Sequence, residues 1–186
     1  MSLEIALEKI RREAEEKKGY LDIGNLGLEE IPDELFSLTH LKGLCLNRNR
    51  WNSAYEADFS KGTINYRKPS KNKVNTFPSS DSRLAQLANL EVFICVGGDF
   101  SNLEFIQYLS AISSINCSTT QVCDLKPLKD LVNLNSLDCS STQVSDLNPL
   151  KDLVNLNSLN CSYTQVSDFT PLKDCLLYTS PSPRDA

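Results

Sequence analysis

At 186 residues the chain is long enough for one domain with a full core, and 40% apolar against 23% charged residues is the balance of an ordinary globular protein rather than a disordered one. A net charge of −5 argues against a generally basic nucleic-acid surface, although Arg48 to Lys73 holds seven basic and two acidic residues, a local +5 that leaves −10 elsewhere. The opening MSLEIALEKIRREAEEKKG lacks the continuous apolar core of a secretory signal, and no later run approaches the roughly 18 apolar residues of a membrane-spanning helix, so a cytoplasmic protein is expected.

The first predicted element is a helix over residues 1–18. Leu3, Ala6, Leu7, Ile10 and Ala14 share one face, Glu8–Arg12 and Glu13–Lys17 pairs lie on the other, and Gly19 closes it. A stack of strands needs its first edge covered, so the helix reads as an N-terminal cap; the alternative is a free amphipathic helix that docks a partner. Strands are then expected near 20–23, 43–46, 92–96, 114–118, 136–140 and 158–162.

Internal repetition decides the architecture of the array over residues 19–174. Residues 115–136 and 137–158 match at 17 of 22 positions, and 159–174 match 137–152 at 12 of 16. The period reaches back through Phe93, Ile115, Leu137 and Leu159 and through Cys95, Cys117, Cys139 and Cys161. Leu137 and Cys139 flank Asp138 in the period-two pattern of a strand with one buried face. The three-residue spacing of Leu147, Leu150, Leu153 and Leu156 fits a short helical or 3₁₀ turn. Asn148 and Thr170, each before a proline, are expected to cap these turns, and Asp124, Asp146 and Asp168 to bind local N–H groups. Leu44 and Phe93 are 49 positions apart where one period is 22, so one repeat carries an inserted loop, expected at about 51–71.

The phrase L-x-x-L-x-C-x-x-T-x-V-x-D-L-x-P-L-x-x-L resembles the leucine-rich repeat, and VSDLNPLKDL and its copies are similar to the 22-residue, internalin-like bacterial class. YLDIGNLGLEEIPDELFSLTHLKGLCLNRN looks like the longer repeats of intracellular bacterial members. This resemblance implies an α/β leucine-rich repeat solenoid: a concave parallel β-sheet, short helical or 3₁₀ turns on the convex side and an N-terminal capping helix. Thr120, Thr142 and Thr164 stand where many such repeats place Asn, as Asn49 does.

Residues that suggest chemistry have structural readings. Cys95, Cys117, Cys139 and Cys161 occupy inward positions as small hydrophobes, no C-x-x-C pair is present, and His40 sits at an outward position, so neither a metal site, a cofactor nor enzyme activity is expected. Function is expected on the outward strand face. Val92, Ile94 and Val96 make an apolar stripe, with Arg48 beside it, and small polar residues follow on the later strands. An apolar patch with a polar surround suits a protein partner of unknown identity, so the partner-binding set is Arg48, Ile94, Val96, Asn116, Asp138, Asn160 and Tyr163. No small-molecule substrate is evident. Two other readings stand beside this one. The resemblance allows the repeats to be the regulatory part of a larger signalling enzyme, such as a Roco-type GTPase, although no P-loop is present. The aromatic residues among the basic insertion would allow nucleic-acid contact, the less favoured reading. Finally, Cys175 to Asp185 resemble, codon for codon, a translated transposase sequencing adapter. That resemblance implies that 175–186 is a non-native tail and that the protein is a truncated fragment.

Overall fold

A computed structural model of the chain describes residues 2–24, 26–47, 82–97, 100–173 and 175. Arg48, Asn49, the expected insertion at 51–71 and the tail from 176 onward lie outside the described residues. Among the described residues, the helix α1 (Ser2–Glu16) leads into six strands: β1 (Tyr20–Asp22), β2 (Gly43–Asn47), β3 (Val92–Cys95), β4 (Ser114–Asn116), β5 (Ser136–Asp138) and β6 (Ser158–Asn160). They form one parallel sheet in chain order. Each strand returns to the next through a 3₁₀ turn, at Asp33–Ser37, Ser82–Leu87, Glu104–Tyr108, Lys126–Leu128 and Asn148–Leu150, with a sixth turn, Thr170–Leu172, after β6. The chain therefore folds as a leucine-rich repeat solenoid. β2 pairs directly with β3 in parallel, although residues 48–91 separate them in the sequence.

The 22-residue period is the sheet register itself. Ile115 lies beside Leu137 and Leu137 beside Leu159. The inward strand positions join the turn leucines in one continuous core, where Leu147, Leu150, Leu153 and Leu156 are all at most 1% exposed. No single repeat could bury such residues alone; stacking removes them from water, at roughly 1.5–3 kcal/mol for each fully buried large side chain before the entropy cost. Around β3 the core is enlarged by Phe93, Phe100 and Phe105, whose ring centroids lie 5.1–5.9 Å apart in tilted and edge-on contacts.

Polar ladders fix one repeat on the next. Asn89, Asn133 and Asn155 donate from Nδ2 to the carbonyls of Thr39, Ser110 and Val132 in the preceding repeat. Arg83 pairs with Asp33 at 2.6 Å and stacks over Phe36, joining the turn before β2 to the turn before β3. The expected bonds from Asp124, Asp146 and Asp168 to local N–H groups are present, whereas Asn148 and Thr170 are not the caps. The 3₁₀ turns begin at Asn148 and Thr170 themselves, and Asp146 and Asp168 accept from the backbone N–H of those residues, as Asp124 does from Lys126. A carboxylate two residues ahead closes a local turn that an N-cap side chain would otherwise have to make.

The cap helix also sits differently. Its buried face is Ala6, Ile10 and Glu13, while Leu3 is 48% exposed and Ala14 faces solvent. Glu13 is no surface partner of Lys17. It is 4% exposed, and its Oε1 accepts from Gly19 N at 2.6 Å and lies 3.0 Å from His40 Nε2. His40, expected on the surface, thus ties the helix to the first repeat. Gly19, at φ +85°, offers its carbonyl to the N–H groups of Lys42 and Gly43 at 2.7 and 2.9 Å, coupling the helix end to the start of β2.

Candidate functional site

Strand alternation places Asp22, Cys45, Ile94, Asn116, Asp138 and Asn160 in one column on the face opposite the main core. Ile94 and Val96, expected to be accessible, have no exposure at all; with Cys45 and Val92 they form a second, smaller apolar cluster. Apolar groups on adjacent strands coalesce for the same reason that the main core does. Asn116 and Ser118 are likewise 1% exposed. The expected site is therefore closed at Ile94, Val96 and Asn116, and an Ile94→Asp change would test the core rather than a docking surface. Arg48 lies outside the described residues. Asp138 is half-buried and Asn160 and Tyr163 are exposed, so the open part of this face is over β5 and β6.

The open strip is built from a repeated small motif, Ser-Leu-Asp/Asn-Cys-Ser. Asp138 Oδ1 accepts from the N–H of Ser140 at 3.0 Å and its hydroxyl at 2.6 Å, and Asn160 Oδ1 accepts from Ser162 N at 3.2 Å. The buried Asn116 makes the same pair of bonds with Ser118. Each acidic or amide side chain is thus held by its own turn. Asn160 Nδ2 reaches across to Asp138 Oδ2 at 3.3 Å, so the carboxylate is flanked by an amide with donor capacity to spare. Tyr163 begins the next turn at φ +57° and is 72% exposed. The equivalent residues are Ser141, Thr119 and Gly97, all in the left-handed region.

Below the strip the threonine series does the work often given to asparagine. Thr120, Thr142 and Thr164 donate to the carbonyls of Cys117, Cys139 and Cys161 at 2.5–2.6 Å, and the same hydroxyls accept from Val122, Val144 and Val166 at 3.4–3.5 Å. One hydroxyl serves both roles, the second through long bonds. All seven cysteines are free thiols. Burial, with a smaller contribution from neighbouring thiols, pushes Cys95, Cys117 and Cys139 well above the ordinary thiol range, and burial raises the half-buried Cys161 too. Among the described residues no group of three His, Cys, Asp or Glu side chains is placed to hold a metal ion. On the other flank an open cleft of ≈ 450 Å³ is lined by residues that include Glu104, Asp124, Lys126 and Lys129, groups of both signs.

Sequence reasoning missed the Glu13–His40 contact because it joins residues 27 apart with no shared period. The Asp138–Asn160 bond was implicit in the 22-residue spacing, which makes those residues register partners.

Residues 132–174 match the family Leucine Rich repeats (2 copies). No curated protein matches the chain. Among solved structures, an internalin, InlF, from Listeria monocytogenes is similar with a TM-score of 0.60 at 23% identity, over 88% of this chain and 47% of that one. A leucine-rich repeat protein of Leptospira interrogans gives 0.58 at 19% identity, over 84% and 41%. The functional domain of InlJ from Listeria monocytogenes, which includes a cysteine ladder, gives 0.53 at 15%, over 81% and 31%. This chain thus spans about half the length of the InlF structure. Among the described residues no helix is long and apolar enough to cross a membrane. Repeat register, core and the match over residues 132–174 agree: the chain has the leucine-rich repeat fold, similar to that of the bacterial internalins.

Proposed function

We propose that the chain is a protein-interaction scaffold or sensor module whose partner lies on the open concave strip over β5 and β6. Leucine-rich repeats generally mediate protein–protein interaction, and internalin-like proteins are typically binding scaffolds rather than enzymes. The observation that carries the reading to this place is the gradient of burial along one column: Cys45 and Ile94 at 0%, Asn116 at 1%, then a half-buried Asp138 and an exposed Asn160. The chain's free thiols suit a reducing, cytoplasmic compartment. The 47% coverage of InlF is in keeping with a module of a longer protein, with 1–18 as its cap.

A photoreactive amino acid placed at Asn160 is expected to cross-link one discrete partner in the source organism, and the same group at Lys151, on the outer turn, is expected not to. Adducts from Lys151 alone would overturn the concave reading.

A further inference from the structure

Resting on the concave reading above, the partner's chemistry can be named from the charge on the strip. Strand segments 92–96, 114–118, 136–140 and 158–162 contain no Lys or Arg, and Asp138 is their one charged residue. Its Oδ1 is occupied by Ser140, whereas Oδ2 meets only the amide of Asn160 at the long distance of 3.3 Å among the described contacts. A carboxylate oxygen accepts more than one hydrogen bond, so Oδ2 retains capacity for a donor. Asp124, Asp146 and Asp168 are exposed too, but they accept from the first residues of the outer 3₁₀ turns and lie away from the strip. The lysines of these repeats, Lys126, Lys129, Lys151 and Lys173, also lie in or just after the outer 3₁₀ turns, Lys126 pairing with Asp124 at 3.7 Å. The strip thus carries one negative charge and no cation, and its fixed acceptor lies beside the small hydroxyl of Ser140.

We propose that this strip takes a basic segment of a protein partner, with a lysine or arginine side chain donating to Asp138 Oδ2 and the chain beside it resting against Tyr163. The rigid placement of the carboxylate favours this contact, because Ser140 already holds its rotamer and little order remains to be imposed on binding. Charge complementarity of this kind selects the partner and speeds encounter more than it adds affinity.

The repeat supplies its own control. Asn116 and Asn160 occupy the same position in adjacent repeats and accept from Ser118 and Ser162 as Asp138 does from Ser140, so Asp138→Asn removes the charge within a motif that the fold already uses. The probe is a fluorescein-labelled, end-blocked peptide of alternating serine and lysine, titrated by anisotropy into the full chain at low salt, beside a peptide with glutamate for lysine. The lysine peptide is expected to bind and the glutamate peptide not. Asp138→Asn should weaken the lysine peptide roughly threefold to fivefold, the scale of one exposed ion pair, and Asn160→Asp should strengthen it. Unchanged affinity in Asp138→Asn, equal binding of the glutamate peptide, or no binding of the lysine peptide would each overturn the proposal. Persistence of cross-linking from position 160 in any of those cases would show that the concave reading survives and only its cationic partner falls.

Discussion

Replacing Glu13 by Ala should loosen the cap helix from the array. Its carboxylate is 4% exposed and serves two groups, the N–H of Gly19 at 2.6 Å and His40 Nε2 at 3.0 Å. Truncation leaves the buried Gly19 N–H without this acceptor, a loss of about 1–3 kcal/mol, and removes the His40 contact, worth about 0.5–1 kcal/mol for a partly exposed pair. Some of this is offset because a buried carboxylate no longer has to be desolvated, so a net loss of about 2–3 kcal/mol is expected. Glu13→Gln keeps an acceptor for Gly19 and should lose less, and His40→Ala, which leaves the Gly19 bond in place, less than Glu13→Ala. Urea unfolding followed by circular dichroism gives the ordering. Hydrogen exchange at Lys42 and Gly43, whose N–H groups bond to Gly19 O, reports whether the junction itself opens. A Glu13→Ala protein within about 0.5 kcal/mol of the parent, with unchanged exchange at those amides, would refute the latch.

The thiols give a graded prediction: Ellman's reagent should modify exposed Cys123 first and half-buried Cys161 and Cys175 later, while Cys45, Cys95, Cys117 and Cys139 react only on unfolding. Because the buried thiols are raised in the fold, their contribution to stability is complete below the unfolded thiol pKa of about 8.5 and is lost as pH rises through the raised folded values; unfolding midpoints at pH 7 and pH 10 test the sign. Thr119 holds a left-handed backbone, φ +58°, that a β-branched residue tolerates poorly, so Thr119→Asn should stabilise by about 1 kcal/mol in urea unfolding, and a loss would contradict strain there. Leu137→Ala should cost about 2–5 kcal/mol, whereas Leu159→Ala, at the half-buried equivalent position on β6, should cost less than half as much; equal costs would contradict the exposed edge.

What the sequence made legible follows from what a repeat can encode. A 22-residue period says which residues are neighbours across strands, and alternation says which side each faces; hence the six strands, their order and the leucine core were all readable. Exposure on the outward side is a different property. Ile94 and Asp138 share one column in the register, yet one is fully buried and the other half-open, because burial there depends on what lies across the sheet face and not on position within the repeat. The same limit applies to Glu13. A helical projection ranks it with the solvent-facing charges, but Gly19 and His40 approach from other elements and give a buried carboxylate its partners. The left-handed turn shows both cases at once. Gly97 suggests a strained conformation to any reader of the sequence, whereas Thr119, Ser141 and Tyr163 suggest none, and only their equivalence by period transfers the inference from one to the others. A repeat thus carries structural information between its copies, so the least typical residue in a column is the one that tells most about all of them. On the concave face that residue is Asp138, the one charge among amides and hydroxyls, which is why neutralising it is the sharpest test of how this surface is used.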